Sequence, residues 1–168
     1  MTTDSLTEAT VSEMTFRIVK KESFGVVGIP QSSDTGGNYG EAWQQFELVK
    51  ETIPCKAEEN VGYGLLVYPP EGTNSDRFTY LASCEVMDLQ TVPFGLFSTR
   101  VPEAEYAVFS VTNWYATLGK AWGAAYDTLS KSDYNRHGLL DFERYDTREF
   151  EKAPEDQEME IWIPVTRK

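Results

Sequence analysis

The sequence predicts an α+β fold in which a unit of strands, one helix and a closing pair of strands occurs twice. Short β-branched and aromatic runs lie between turn-forming residues, as is typical of strands. Two longer segments carry apolar residues at helical spacing. These elements follow the same order in both halves of the 168-residue chain, which indicates an internal duplication. The strands should form an antiparallel sheet, the units joining edge to edge or face to face, with a ligand cleft at their seam.

The first half is predicted to span about residues 14–92, after a polar segment, residues 1–13, that we expect to be disordered. Its helix carries Trp43 on an apolar stripe, where core packing is the favoured interpretation, and Pro54 ends it. A loop rich in Gly, Ser and Asn is expected at Pro30–Gly40. In chain order the strands and helix are predicted at Phe16–Lys21, Phe24–Ile29, the helix Glu41–Ile53, Val61–Tyr68 and Arg77–Met87.

The second half, about residues 93–168, repeats this order. Its helix carries Trp122 on an apolar stripe, which again favours core packing, and a turn through Asn135, His137 and Gly138 follows. Two strands are expected to close the chain within Leu139–Val165. In order the other elements are predicted at Leu96–Val101, Glu105–Val111 and the helix Trp114–Lys131.

Composition excludes several function classes. The 15 Lys and Arg against 27 Asp and Glu give a net charge of −12, and no basic run could follow a phosphate backbone, so nucleic acid is not an expected partner. One histidine, His137, and two separated cysteines, Cys55 and Cys84, argue against a metal site, a cofactor or a histidine-based nucleophile. No apolar run approaches the roughly 20 residues that span a bilayer, so we expect a cytoplasmic protein without membrane contact.

The two closing strands carry the main candidate site. Alternation along each strand puts Glu143 and Tyr145 on one face of the first, and Glu160 and Trp162 on one face of the second. Carboxylates among aromatic rings suit a cleft for a ligand that is apolar, or apolar and cationic. A strand Glu is often merely solvated, yet Tyr145 beside it favours the pocket for Glu143. For Glu160, a cross-strand ion pair is an equal alternative.

Four further residues complete the set of candidate ligand contacts. Tyr63 and Tyr80 can pack their rings while presenting a hydroxyl group to a ligand. Trp114 leads into the second helix and could line the cleft or plug it. Glu85 is expected at the rim of the cleft, although partial burial remains open.

The order of these segments resembles the GyrI-like small-molecule-binding family, which includes the effector-binding domains of AraC-type and MerR-type regulators. The resemblance covers about Met14 to Val165, and its specificity lies in the shared order. The matching pieces are Phe24–Ile29, Trp43, Tyr63-Gly64, Phe78–Leu81, Val101-Pro102, Glu105–Phe109, Asp141–Tyr145 and Met159–Val165.

The resemblance implies a duplicated α+β unit around a central cleft, with Glu143 as the pocket acid and Trp162 as an aromatic contribution from the last strand. Only about thirteen polar residues precede the first predicted strand, so we expect a stand-alone member that lacks a helix-turn-helix region. A homodimer or a regulator partner stays open.

Two hypotheses on function follow. The first is a binder of amphipathic or cationic aromatic molecules, acting in transcription regulation or in sequestration of toxins and drugs. The alternative, taken from the resemblance, is a metal-independent hydrolase of strained, cyclopropane-type electrophiles. There Glu143 would act as general base, and Tyr145 or Tyr80 would hydrogen-bond the carbonyl that gains negative charge. A third possibility, inhibition of a macromolecule such as gyrase, rests on the family name alone.

Overall fold

The computed structural model describes residues 14–32, 38–70 and 77–168. The predicted lead-in at 1–13 and parts of two predicted loops, 33–37 and 71–76, lie outside the described residues. Within the described ranges, both predicted helices and the predicted strands are present, with ends that differ by a few residues. An additional three-residue strand occupies the turn predicted around Asn135, because its backbone pairs with the last strand.

The strands and helices follow the order that the duplication predicts. The strands are β1 (Arg17–Lys21), β2 (Phe24–Ser32), β3 (Val61–Val67), β4 (Thr79–Val86), β5 (Phe97–Val101), β6 (Ala104–Thr112), β7 (Tyr134–Arg136), β8 (Leu140–Asp146) and β9 (Glu158–Arg167). The helices are α1 (Gly40–Val49) and α2 (Trp114–Ser130), with short 3-10 turns at Lys50–Thr52, Thr147–Glu151 and Pro154–Asp156.

The strands form one antiparallel sheet in the order β1-β6-β9-β8-β3-β4-β2-β5, with β7 added beside β9. The two hairpins β3–β4 and β8–β9 therefore meet edge to edge through β3 and β8, whose register runs from Val61 opposite Asp146 to Val67 opposite Leu140. The outer strands are exchanged: β1 pairs with β6, and β5 pairs with β2. Through this exchange, each half contributes its outer strand to the sheet of the other half. The predicted boundary between the halves near residue 92 stays a prediction.

The sheet is strongly curled. Strands β2 and β8 are separated by β3 and β4, so three spacings of about 4.8 Å would hold them roughly 14 Å apart in a flat sheet. Yet the ring centroids of Phe24 on β2 and Phe142 on β8 are 5.8 Å apart, and Tyr63 on β3 contacts both rings. This concave side, here called the inner face, is therefore closed by its own apolar side chains.

Both helices cover the opposite side of the sheet, here called the helical face. Helix α1 buries Ala42 and Phe46 against β2 and β4, and α2 buries residues that include Ala121 and Leu129 against β6 and β9. Each helix thus covers its own half. A cleft remains between the helices over the central strands β3 and β8. None of the described helices is long and apolar enough to cross a membrane.

Candidate ligand-binding site

The cleft between the helices has a volume of about 890 Å³, within the range of roughly 300–1,000 Å³ that suits small-molecule sites. Strands β3 and β8 form its floor, and α1 and α2 form its walls. Most of its lining is aromatic or aliphatic. Among the described residues that line the cleft, Glu143, at the centre of β8, is the one carboxylate that enters from the floor, and this residue is 4% exposed.

The carboxylate of Glu143 accepts three hydrogen bonds from the walls and floor. Its Oε1 accepts from the Tyr80 hydroxyl at 2.7 Å and from the Tyr145 hydroxyl at 2.9 Å. Its Oε2 accepts from the indole Nε1 of Trp122, on α2, at 2.9 Å. These donors fix the position of both oxygens, and they favour the ionised form of the acid.

Helix α1 reaches the same network through Trp43. Its indole Nε1 donates to the Tyr80 hydroxyl oxygen at 2.9 Å, so the single proton of that hydroxyl is free to point to Glu143. The two tryptophans therefore hold the acid from opposite helices, one directly and one through Tyr80. Ring contacts support this arrangement, since Tyr145 packs edge-on against Trp43 at 5.6 Å.

Two glycines on β3 make room for these contacts. A Cβ at Gly64, which lies opposite Glu143, would stand 2.0 Å from the Tyr80 hydroxyl oxygen and 2.9 Å from Glu143 Oε1. A Cβ at Gly62 would stand 3.0 Å from the Trp43 ring. The absence of side chains at these two alternate positions of β3 thus lets the Tyr80 hydroxyl and the Trp43 ring approach the backbone.

Glu143 is a buried acid that has no basic partner among the described residues. Burial raises the pKa of Glu143 above its ordinary value, while the hydrogen bonds from Trp122, Tyr80 and Tyr145 act in the opposite direction. None of the ion pairs formed among the described residues includes Glu143. When ionised, its charge is balanced by hydrogen-bond dipoles alone.

A second buried acid, Asp141, lies two residues earlier on the same strand, but it is already paired. Arg136 donates from Nε to Asp141 Oδ1 at 3.0 Å, and the Tyr126 hydroxyl donates to Oδ2. Burial raises the pKa of Asp141, and Arg136 opposes that rise. This pair is best explained as a structural brace under the cleft.

Of the eight candidate ligand contacts, four lie in the cleft: Glu143, Tyr145, Tyr80 and Trp114. Trp114 lines the cleft at its α2 end and packs against Tyr145 with centroids 5.1 Å apart. Its buried Nε1 has no hydrogen-bond partner among the described residues.

The other four, Tyr63, Glu85, Glu160 and Trp162, lie on the inner face, so the structure does not bring them to the cleft. Directly opposed residues of paired strands point to the same side. Phe142 precedes Glu143 and therefore points to the opposite side of the sheet. Because Trp162 is opposite Phe142, it also points away from Glu143. The other three follow the same registers: Tyr63 is opposite Arg144, Arg144 is opposite Glu160, and Glu85 is opposite Val26.

Each residue on the inner face has a local role there. Trp162 stacks on Phe142 at 5.1 Å, and Tyr63 belongs to the same core. Glu160 accepts from Arg17 at 2.8 Å, which matches the ion-pair alternative predicted for it. Glu85 lies 3.7 Å from the Lys21 ammonium group.

Trp43 and Trp122 were predicted to pack in the core, and the apolar stripes of the helices gave no sign that both residues line the site. Sequence reasoning also missed Tyr39, which stacks on Tyr80 with centroids 4.1 Å apart. The alternate glycines at 62 and 64 were an available signal, since glycine inside a strand often marks a close approach.

Chemically, the arrangement suits a ligand that is apolar over most of its surface and carries one positive charge. The rings provide apolar contact surface, and the carboxylate of Glu143 supplies a counter-charge at a fixed position. Among the described residues, no group of three or more His, Cys, Asp or Glu side chains could hold a metal ion.

Comparisons with known proteins agree with this description. A family model described as the GyrI-like small molecule binding domain matches residues 14–166. No curated protein matches the sequence significantly.

Solved structures match over most of the chain. The structure of SAV2435 bound to tetraphenylphosphonium is 16% identical, with a TM-score of 0.68 over 91% of this chain and 94% of the other. EcmrR, solved in a complex with DNA, is 12% identical, with a TM-score of 0.71 over 99% of this chain and 63% of the other. A hydrolase from Listeria innocua is 10% identical, with a TM-score of 0.58 over 98% and 97%. At these identities the matches establish the fold, and they confirm the predicted α+β class.

Proposed function

Because the chain belongs to the family of GyrI-like small molecule binding domains, we propose that it binds amphipathic, aromatic cations in the cleft around Glu143. The observation that carries this proposal is a buried carboxylate that accepts three hydrogen bonds and forms no ion pair within the described residues. The proposed role is sequestration of such molecules or sensing of them for transcription regulation, in the cytoplasm.

The chemistry of the cleft favours a cation over a neutral molecule of equal size. A cation over an aromatic face gains about 0.5–2 kcal/mol, depending on desolvation. The carboxylate adds a Coulomb attraction that is stronger away from bulk water. The complex of SAV2435 with tetraphenylphosphonium, a lipophilic aromatic cation, supports this ligand class for a protein of the same fold.

Tryptophan fluorescence offers a direct test, because three of the four tryptophans, Trp43, Trp114 and Trp122, line the cleft. The purified chain is titrated with tetraphenylphosphonium and, separately, with neutral triphenylphosphine oxide. We expect saturable quenching by both and an affinity at least tenfold higher for the cation, equivalent to about 1.4 kcal/mol. Equal affinities, or no saturable quenching by the cation, would reject the proposal.

The hydrolase hypothesis remains the second candidate. The observation that favours it is the buried Glu143, whose raised pKa suits a general base, and the fold match to a hydrolase from Listeria innocua gives it weaker support. In this alternative, the base removes a proton from water that attacks a strained electrophile.

Mass spectrometry of the incubated ligand separates the two candidates. A binder returns every ligand unchanged. A hydrolase adds one water to a cyclopropane-type electrophile in the wild type, and the Glu143→Gln variant does not.

A further inference from the structure

Two aromatic clusters lie at opposite ends of the cleft, one on each side of Glu143. We propose that the cleft selects ligands with a central cationic group and two aromatic arms that extend in opposite directions. This inference rests on the proposed function, since it specifies the shape of the cation that the same site binds.

The strand register places Glu143 at the middle of the cleft. The pairing of β3 with β8 runs from Val61 to Val67, and Gly64 at its centre lies opposite Glu143. Three residue pairs extend on each side, or about 10 Å of strand in each direction. The floor therefore extends about 10 Å along the strands from Glu143 in both directions, and aromatic residues line the cleft towards both ends.

The first cluster consists of Tyr39, Tyr68 and Phe78, at the end of the cleft where β3 finishes. The ring centroids of Tyr39 and Phe78 are 6.0 Å apart, and those of Tyr68 and Phe78 are 5.2 Å apart. Tyr39 in turn stacks on Tyr80, whose hydroxyl donates to Glu143. The cluster is thus connected to Glu143 through Tyr80.

The second cluster consists of Trp114, Tyr115 and Phe150, at the end where β8 finishes. Trp114 contacts Tyr115 at 5.7 Å and Phe150 at 6.5 Å between centroids. It also packs against Tyr145, the other tyrosine that donates to Glu143 Oε1. Tyr80 and Tyr145, whose hydroxyls both donate to Glu143 Oε1, therefore each pack against a different cluster.

Exposure distinguishes the second cluster from ordinary core packing. Tyr115 is 83% exposed and Phe150 is 52% exposed, although both rings line the cleft. Aromatic pairs prefer centroid separations of about 4.5–7 Å. In the proposed complex, one aromatic arm of a cation at Glu143 contacts the rings at one end of the cleft, and a second arm on the same cation contacts the rings at the other end.

The test compares benzyltrimethylammonium, which has one aromatic arm, with dibenzyldimethylammonium, which has two. Calorimetric titration of the wild type should give about tenfold tighter binding for the two-armed cation, the gain expected for one added aromatic contact. Tetraphenylphosphonium is titrated in parallel as the probe of the proposed function.

Variants assign the arms to the clusters. The double variant Tyr115→Ala/Phe150→Ala removes the exposed rings of one cluster, and Tyr39→Ala weakens the other. Each should abolish the two-armed advantage, so that within each variant the two cations bind with affinities that differ by less than about threefold, because only one cluster remains for an aromatic arm. Phe94→Ala is the matched control, since Phe94 is a fully exposed ring outside the cleft, and it should change neither affinity.

The outcomes separate the two proposals. If the one-armed cation and tetraphenylphosphonium bind but the two-armed cation binds no tighter, the two-arm inference fails and the proposed function stands. The inference also fails if the cluster variants keep the full advantage, or if Phe94→Ala removes it. If no cation binds at all, both proposals fail.

Discussion

Replacing Tyr80 by Phe tests the hydrogen-bond network that holds Glu143. The substitution removes one hydroxyl group and keeps the ring that stacks on Tyr39. That hydroxyl donates to Glu143 Oε1 at 2.7 Å and accepts from Trp43 Nε1 at 2.9 Å. Both bonds are lost together, and the Trp43 indole loses its partner.

The expected cost in unfolding free energy follows from these two losses. A hydrogen bond to an ionised group contributes about 1.5–3 kcal/mol, and a buried donor without a partner costs about 1–3 kcal/mol. Glu143 keeps its bonds from Tyr145 and Trp122, which limits the total. We therefore expect Tyr80→Phe to destabilise the protein by about 3 kcal/mol.

Urea denaturation followed by tryptophan fluorescence measures this change. With a denaturant slope of about 2 kcal/mol per molar, the midpoint should fall by about 1.5 M. Tyr115→Phe is the matched control, because Tyr115 is exposed and its hydroxyl forms no hydrogen bond with the described residues, so the midpoint of this variant should not move. A loss below about 0.5 kcal/mol for Tyr80→Phe would refute the reasoning, because surface substitutions give changes of that size.

Three further predictions concern the floor, the acid and the brace. Gly64→Ala places a Cβ 2.0 Å from the Tyr80 hydroxyl oxygen, so it should lower the free energy of unfolding by about 1–3 kcal/mol and weaken cation binding. Gly123→Ala is the control, because its Cβ would meet open space and should not destabilise the protein. Burial raises the pKa of Glu143 in the folded state, so the folded protein holds this proton more tightly than the unfolded chain does. The stability that Glu143 contributes by this effect is therefore complete below the ordinary glutamate pKa, and it is lost as the pH rises through the raised pKa of the folded state. The difference in unfolding free energy between the wild type and Glu143→Gln should therefore decrease as the pH rises through this range. Cation affinity should drop as the pH falls through the raised pKa of Glu143, because protonation removes the charge. Arg136→Leu leaves the buried Asp141 without its cation and should lower the unfolding free energy measured by urea denaturation by about 3 kcal/mol. Lys131→Ala, which removes an exposed pair with Asp127, should have little effect, and equal effects of the two variants would contradict the brace.

Alternation along single strands was sufficient to predict much of this molecule. It correctly paired Glu143 with Tyr145, and Glu160 with Trp162, on one face each of their own strands. It carries no information on which faces of two neighbouring strands coincide. That depends on register, and the pairing of Phe142 with Trp162 places the two acid–aromatic pairs on opposite sides of the sheet.

The helices show a similar limit. The spacing of apolar residues predicted core packing for Trp43 and Trp122, and both rings do pack against the core of the sheet, although each is only partly buried and also lines the cleft. An indole, however, has an apolar body and one polar N–H, and only the three-dimensional arrangement reveals that both N–H groups reach the network around Glu143. Sequence therefore identified the acid and part of its surroundings, whereas the donors from the helices required the structure.

The affinity of tetraphenylphosphonium for wild type and for Glu143→Gln, measured by calorimetry, tests the central claim most directly. Glutamine keeps the size of the side chain and removes the charge. We predict at least a tenfold loss of affinity for the cation and less than a threefold change for neutral triphenylphosphine oxide. Glu160→Gln, the same substitution on the inner face, should bind both ligands as the wild type does. An unchanged affinity for the cation in Glu143→Gln, or an equal loss for both ligands, would contradict the account.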